Sequence, residues 1–443
     1  MNIKIDSRKV ARGDAFIAIR EINGDGHKYV KDAIKNGATT VIVEEGEYDV
    51  NTIIVSDTKK YLEEYLENNY YDKIKKLKLI GMTGTNGKTT TCYLIYQALN
   101  KLGIKCAYIG TLGFYTDKEK ILNNTTPNLY EIYNMLLECV SSGYEYIVME
   151  VSSQGLSMGR VNTLLFDYEI FSNLTQDHLD YHGTIDNYVS EKQKLFNMTR
   201  NGIAIVNNDD KYKNYFLLDN KNITYGKTNS DYNISDIIST LDGTRFNLND
   251  EEYITNLIGE YNIYNLSIVI ILLKCLNIEN IYDAIKGLSA PKGRMDIVKY
   301  NANNIIIDYA HTPDAVEKII KEVSKINHNR VITIIGCGGN RDKTKRPIMG
   351  DIATNYSDFV IFTSDNPRYE KPKKILKDIT CKLDNKNYKI IVNRKKAIKR
   401  GIQMLEKNDI LLLLGKGHED YQIIKNKKYP FSDKNIVLKY IRR

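Results

Sequence analysis

An apolar strand that runs into a glycine-rich turn and then a helix constrains this chain more than any other stretch. Leu77-Lys-Leu-Ile80 is strand-like, and Gly81, Gly84 and Gly87 interrupt the run. Leu94, Ile95, Ala98, Leu99 and Leu102 then recur at helical spacing. Units of this kind build a mainly parallel sheet with helices on its faces. The pattern returns around residues 147–151 and 203–206.

At 443 residues the chain is long enough for several cores. The reading is α/β with three domains, over 1–76, 77–290 and 291–443. The first is a small α/β unit. It has strands at 15–19 and 40–43, a helix at 29–36 stopped by Gly37, and a charged, Tyr-rich stretch at 61–78 that carries a helix and a linker. The second is a central P-loop ATPase-like domain. In it residues 210–255 are polar and read as an antiparallel excursion, and 256–276 as a helix. In the third, apolar strands at 305–307, 331–335, 359–363, 390–392 and 410–414 alternate with helix-like segments, which describes a Rossmann-like, doubly wound domain.

The net charge of +8 is mild for this length, and the cations are read as spread out, without a long arm or stripe, so nucleic acid is not the expected partner. Six cysteines lie far apart and form no CxxC pair, which argues against a zinc ribbon or a disulfide framework and for a reducing cytosol. The N-terminus lacks an apolar signal region, and no aliphatic run approaches the roughly 20 residues that span a bilayer. A soluble cytoplasmic protein without membrane insertion is expected.

Chemistry concentrates at strand ends. Gly84-Thr-Asn-Gly87-Lys88-Thr89-Thr90 stands between strand and helix, where backbone N–H groups can cradle phosphate oxygens, Lys88 can neutralise them and the Thr89 hydroxyl can ligate Mg²⁺. The general phosphate-loop pattern has glycine where Met82 stands. Glu150 ends an apolar strand, in reach of a metal beside such a loop. In Asp177-His178-Leu-Asp180-Tyr-His182 the two histidines are four apart, but Leu179 replaces the glutamate that a zinc protease helix needs, which leaves one His for an Mg²⁺ shell or a structural Asp/His cluster. Asp308-Tyr-Ala-His311, Gly336-Cys-Gly338-Gly339 and Gly415-Lys416-Gly417-His418-Glu419 each follow a strand and would gather at one sheet edge. Arg341 spoils a dinucleotide fingerprint in the second of these. In Asp365-Asn-Pro-Arg368 the proline fixes a turn that presents an arginine suited to bidentate carboxylate binding.

Together these motifs resemble the Mur ligase family over nearly the whole chain. The resemblance rests on Asp6-Ser-Arg-Lys-Val-Ala-Arg-Gly-Asp14 and Gly24-Asp-Gly-His27, on the 84–90 loop, and on Thr125-Thr126-Pro127 and Glu150-Val-Ser152-Ser153. Further along, Asn173–His182, Gly259-Glu-Tyr-Asn262-Ile-Tyr-Asn265, Gly293-Arg294-Met295, Asp308–His311, Arg341, Asp365–Arg368 and Gly415–Glu419 carry it. Arg20 stands where glycine is usual, and Met158 where some members carry Gln.

The resemblance implies an ATP-dependent amide ligase of the branch that adds the third residue to the UDP-MurNAc peptide of peptidoglycan. ATP would phosphorylate the D-Glu γ-carboxylate of UDP-MurNAc-L-Ala-D-Glu, and the amine of meso-diaminopimelate would attack the acyl phosphate. It further implies Lys88, Glu150, His178 and Lys192 as catalytic. ATP would lie on Gly84, Thr85, Asn86, Gly87, Lys88, Thr89, Thr90, Asn262, Asn265, Arg294 and Asp308. Ser7, Ile22, Asn23 and Gly24 would hold the UDP end, and Thr125, Thr126, Ser152, Met158 and Arg160 the muramoyl-dipeptide. Arg341, Asp365, Asn366, Pro367, Arg368, Gly415 and Glu419 would hold diaminopimelate, with Glu419 on its distal ammonium. Two Mg²⁺ ions would draw on Thr89, Glu150, His178 and Lys192, the last as a carbamate. A monomer is expected. The rival readings are the same ligation with L-lysine or meso-lanthionine, a folylpolyglutamate synthase-like ligase, and a non-catalytic nucleotide-binding scaffold.

Overall fold

The structure, a computed structural model, describes residues 2–21, 24–200, 202–219, 221–240 and 242–442. Ile22 and Asn23, assigned above to the UDP end, lie outside the described residues. Three sheets organise the chain. The N-terminal sheet is parallel, in the order Ile3–Lys4, Ala15–Ile17, Thr40–Val43, Asn51–Ile54. One of its faces, through Ile3, Ala15, Ile17 and Ile42, joins Leu62 and Leu66 of helix Thr58–Ile74 in the same apolar cluster as Leu79 and Ile109 of the central sheet.

The central sheet has eleven strands among the described residues. Its middle runs Cys106–Gly110, Tyr146–Glu150, Lys78–Thr83, Tyr168–Phe171, Ile203–Asn207, Lys221–Gly226, Tyr232–Thr240, all parallel. The polar stretch at 210–255 is therefore only partly the antiparallel excursion expected. Lys221–Gly226 extends the parallel sheet, and only Tyr232–Thr240, Gly243–Leu248 and Glu251–Thr255 form a meander. Helix Glu260–Cys275 is apolar all round because it is enclosed, packing on helix Lys88–Lys101 and on the sheet.

The C-terminal sheet runs Asp296–Tyr300, Asn303–Asp308, Ile410–Leu414, Val331–Ile335, Phe359–Phe362, Tyr388–Ile390. Only the first strand is antiparallel. Parallel order brings the loops after Asp308, Ile335, Phe362 and Leu414 to one edge.

One buried carboxyl, on strand Tyr168–Phe171, feels a second buried acid, Asp167. Glu169 is fully buried and neither carboxyl oxygen has a hydrogen-bond partner among the described residues. Burial pushes its carboxyl up to about 8, eased only in part by the Thr199 hydroxyl. A carboxyl raised in the folded state binds its proton more tightly there than in the unfolded chain. Its destabilising effect is thus absent in acid, grows once pH passes the unfolded value of about 4.3, and levels off above the folded value. Glu169→Gln is expected to melt higher than the parent chain, with a gap that widens from pH 5 to pH 8. A gap independent of pH in thermal melts would contradict the buried neutral acid.

Candidate functional site

The turn after Lys78–Thr83 is shaped by close packing. Gly84 (φ 148°) and Gly87 (φ 90°) occupy conformations that other residues rarely adopt. A Cβ on Gly84 would strike the Ser172 hydroxyl, and one on Gly87 would lie 2.6 Å from Asn265 Oδ1. No glycine is needed at 82: Met82 is a core strand residue, and the tight turn falls later. The turn is pinned from the neighbouring strand end. Thr85 N donates to the Asn173 carbonyl (2.8 Å), Asn86 N to Asn173 Oδ1 (2.9 Å), and the Ser172 hydroxyl to the Asn86 carbonyl (2.7 Å). Asn86 Nδ2 reaches Asp314 Oδ2 of the C-terminal domain at 3.0 Å.

Two ammonium groups converge on this turn. Lys88 Nζ donates to the Gly84 and Thr85 carbonyls (2.7 and 3.0 Å), and Lys192 Nζ donates to the same Gly84 carbonyl at 2.8 Å. Lys192 is 1% exposed, so its charge can reach no solvent. Burial, and next the charge of Lys88, hold the Lys192 amine well below the usual lysine range. Lys88 is lowered by burial, against the opposing charges of Glu150 and Asp177. Two lysine amines sharing one carbonyl make a place where an anion would be stabilising.

Glu150 is buried rather than solvated, at 1% exposure. Tyr108 OH (2.5 Å) and Thr111 N (2.8 Å) donate to Oε1, and the Thr89 (2.8 Å) and Thr111 (3.1 Å) hydroxyls donate to Oε2. Thr89 and Glu150, 61 residues apart, therefore touch as the motifs implied. His178 takes the left-handed conformation (φ 53°) at the start of the short helix Leu179–His182. Its Nε2 is 3.5 Å from Asp177 Oδ2. Burial lowers its pKa, and Lys192 and Lys88 lower it further. Burial works against the charge of Asp177, but His178, His311 and Lys345 outweigh it and keep the carboxyl low. His182 is elsewhere in role: it bonds the Ser153 hydroxyl (3.0 Å) and stacks near Tyr188.

Further along the cleft, Thr125 Oγ1 lies 3.0 Å from Thr111 Oγ1. Thr126 turns inward, its hydroxyl spent on the Glu150 carbonyl and the Ser152 hydroxyl. Ser152 caps helix Ser153–Ser157 through Gly155 N. Arg160 donates to the Thr126 carbonyl (2.8 Å) and approaches Met158 Sδ (3.1 Å), while Lys59 of the N-terminal domain holds the Met158 carbonyl (2.6 Å). Ser7 is nearly buried in the turn Ser7–Lys9, its carbonyl held by Asn36, and Gly24 lies in a two-residue hairpin strand opposite Glu21.

On the other side of the loop, Asn265 accepts from the Thr91 hydroxyl (3.1 Å) and donates to Asn262 Oδ1 (3.2 Å). Arg294 lies over the Tyr309 ring at 4.6 Å, its Nε buried without a partner among the described residues. Asp308 accepts from Met295 N and Ala310 N. A cavity of about 300 Å³ opens beside Asn262, lined also by Leu288, Arg294, Met295 and Asp296.

In the C-terminal loops Arg368 is left-handed (φ 49°) and donates to the Gly339 carbonyl at 2.9 Å. The glycines of 336–339 serve close approach: a Cβ on Gly339 would run into the Pro367 carbonyl and one on Gly336 into that of Thr363. Burial lowers the Arg368 pKa and neighbouring Arg341 lowers it again. Neither arginine has an ion-pair partner among the described residues. A Cβ on Gly415 would lie 2.7 Å from Asp365 Oδ2. Glu419 is already engaged, by Lys416 Nζ (2.7 Å) and Asn366 Nδ2 (2.8 Å).

Sequence reasoning missed Lys416, Tyr108, Asn173, Tyr309 and His418. Lys416, His418, Tyr309 and Asn173 stand inside the motifs read above, but no role was given to them there. Tyr108 sits mid-strand, where only folding reveals that it faces Glu150.

Three family descriptions match in chain order. "Mur ligase family, catalytic domain" covers residues 1–77, "Mur ligase middle domain" 82–273, and "Mur ligase, glutamate ligase domain" 293–417. The chain belongs to the Mur ligase family. It is thus an ATP-dependent ligase of three α/β domains. The UDP-N-acetylmuramoyl-L-alanyl-D-glutamate–2,6-diaminopimelate ligase of Clostridium perfringens is 42% identical over 98% of this chain and 94% of its own length. A solved structure of a ligase of that name superposes with a TM-score of 0.69 at 32% identity, covering 100% of this chain and 94% of the other. A folylpolyglutamate synthase of Mycobacterium tuberculosis shares the fold alone, with a TM-score of 0.66, 14% identity, and coverage of 80% and 91%. No helix among the described residues is long and apolar enough to cross a membrane.

Proposed function

We propose that this Mur ligase adds meso-diaminopimelate to the D-Glu γ-carboxylate of UDP-MurNAc-L-Ala-D-Glu. The observation that carries the choice of amino acid is the pair Arg341 and Arg368, two adjacent guanidiniums without a carboxylate partner among the described residues. Diaminopimelate brings a carboxylate beside its distal amine, and L-lysine brings none. Lysine would leave the half-buried Arg368 unpaired and would add a third cation. The names of the full-length relatives support the same substrate.

In this reading the γ-carboxylate oxygen attacks the γ-phosphorus of ATP and ADP leaves. The free amine then attacks the acyl carbon, a tetrahedral intermediate forms, phosphate departs, and the nitrogen loses a proton. The protein positions and neutralises rather than bonds covalently. Lys88 and the 84–90 backbone take the phosphates, the cavity beside Asn262 and Arg294 takes the nucleoside, and Thr125 and Arg160 face the dipeptide. Domain closure, in which Asn86–Asp314 is already one contact, keeps water from the acyl phosphate. Glu419 enters as half of a pair with Lys416, so the distal ammonium would meet a carboxylate already shared.

Mg²⁺ fits here on one condition. No cluster of three acidic, His or Cys ligands exists among the described residues, and two ammoniums share the Gly84 carbonyl. Carbamylation turns the Lys192 ammonium into a carboxylate-like group. Thr89, Glu150, His178 and that carbamate would then hold the metal, which when bound neutralises charge on the transferred phosphoryl group.

Arg368→Ala tests the choice of substrate. The KM for meso-diaminopimelate is expected to rise about 10²-fold, while the KM for ATP moves little. Meso-lanthionine, which keeps the distal carboxylate, should be a tolerated analogue. ADP release that favours L-lysine over meso-diaminopimelate at equal concentration would overturn the assignment. Release driven by a folate substrate instead would return the folylpolyglutamate reading.

A further inference from the structure

The expectation that the cations are evenly spread is corrected by the C-terminal domain. Residues 371–400 contain ten Lys, two Arg and two Asp, a net charge of +10. That exceeds the +8 of the whole chain, so the rest of the molecule is slightly acidic. The segment folds as helix Pro372–Thr380, the strand Tyr388–Ile390 at the sheet's outer edge, and helix Arg394–Met404. Ile375, Leu376 and Ile379 of the first helix pack on one face of the sheet, and Ala397, Ile398 and Ile402 of the second on the other. The two helices and the edge strand therefore wrap a single rim.

All ten lysines and Arg400 are exposed on that rim. None of the eleven makes an ion pair among the described residues, whereas the segment's remaining cation, Arg394, is buried against Asp433. Charged edge strands discourage sheet-to-sheet pairing, but one or two lysines suffice for that. Eleven cations without ion pairs on one rim repel one another, and the segment's two aspartates and the Tyr440 ring under Lys399 offset this only in part.

We propose that this rim docks the ligase, peripherally, on an anionic phospholipid surface. Three features favour a bilayer over a nucleic acid. Ten of the eleven cations are lysines, compact charges suited to a diffuse anionic plane rather than to bidentate recognition of bases. The one aromatic within residues 371–400, Tyr388, is not free for base stacking, since it packs on Phe362 at 5.4 Å. And among the lysines lies an apolar element: Ile390 is 44% exposed, beside a groove of about 330 Å³ lined by Lys373, Leu376, Lys377, Thr380 and Val392. The proposal does not depend on which amino acid the enzyme ligates.

Co-sedimentation of the full chain with vesicles tests this. It should pellet with phosphatidylglycerol-containing vesicles at about 0.15 M salt, be released as salt rises, and ignore pure phosphatidylcholine. The variant Lys377→Glu, Lys389→Glu, Lys396→Glu, Lys399→Glu should bind at least about tenfold more weakly, with vesicle-free turnover and melting temperature unchanged. The matching Lys→Gln set should fall between the two. Equal sedimentation with both vesicle types, or undiminished binding by the Glu variant, would overturn the proposal. So would an oligonucleotide that binds the rim more tightly than the vesicles and displaces them, which would make the partner a nucleic acid.

Discussion

Lys192→Ala is expected to lower kcat by about 10²–10³-fold while leaving the protein folded. The reasoning starts from where the amine sits. It is buried, shares the Gly84 carbonyl with Lys88, and lies 4.6 Å from the Tyr188 ring centroid, with no carboxylate bonded to it among the described residues. As a charged ammonium it would be a poor neighbour for both Lys88 and a metal. Its lowered pKa raises the share of free amine, which is the form that adds to CO₂. Alanine removes the carbamate and the burial penalty together, so the melting temperature should hold or rise as activity falls. Short-chain carboxylic acids should restore part of the rate by placing a carboxylate in the vacated space. The parent enzyme should also slow in CO₂-depleted buffer and recover with bicarbonate. A nucleotide-bound crystal structure with an unmodified, charged Lys192 would sink the carbamate.

What could be read from the sequence follows from the range of each interaction. Short apolar strands between turns are local, so Val331–Ile335, Ile410–Leu414 and Thr40–Val43 were legible to the residue. The helix read from 256 begins later, at Glu260, because Gly259 has a positive φ of 93°. Asp296–Tyr300 and the hairpin Tyr421–Ile424 with Lys427–Pro430 went unread, since polar and charged residues mask their alternation. The phosphate-loop motif was legible because its chemistry is contiguous. The meeting of Lys88 with Lys192 was not, because it depends on helix Ile185–Gln193 reaching across to the Gly84 carbonyl, over a hundred residues away in sequence. The charge excess of residues 371–400 is contiguous and could be counted in the sequence, but only the fold brings its two helices and edge strand to one rim.

The second large effect belongs to Lys88. Lys88→Ala is expected to lower kcat by about 10³-fold or more, with a smaller rise in the KM for ATP. The side chain leaves the N-terminus of helix Lys88–Lys101 and folds back over its own turn, onto the Gly84 and Thr85 carbonyls. In that position it adds a full positive charge to the partial charge of the helix terminus. Negative charge on the phosphoryl group in flight grows relative to bound ATP, so losing this cation should penalise the transition state more than the ground state. Structural disruption predicts a different signature. Lys88 is held at a lowered pKa chiefly by burial, so its removal relieves desolvation rather than breaking an ion pair, and the melting temperature should not fall. Arginine should not rescue, because a planar guanidinium cannot reach both carbonyls from the same stem position without displacing the turn. Turnover within a few-fold of the parent, measured by ADP release with all three substrates present, would remove the 84–90 turn from the phosphate site. In that case the Lys88–Lys192 pair would need another anion to explain it.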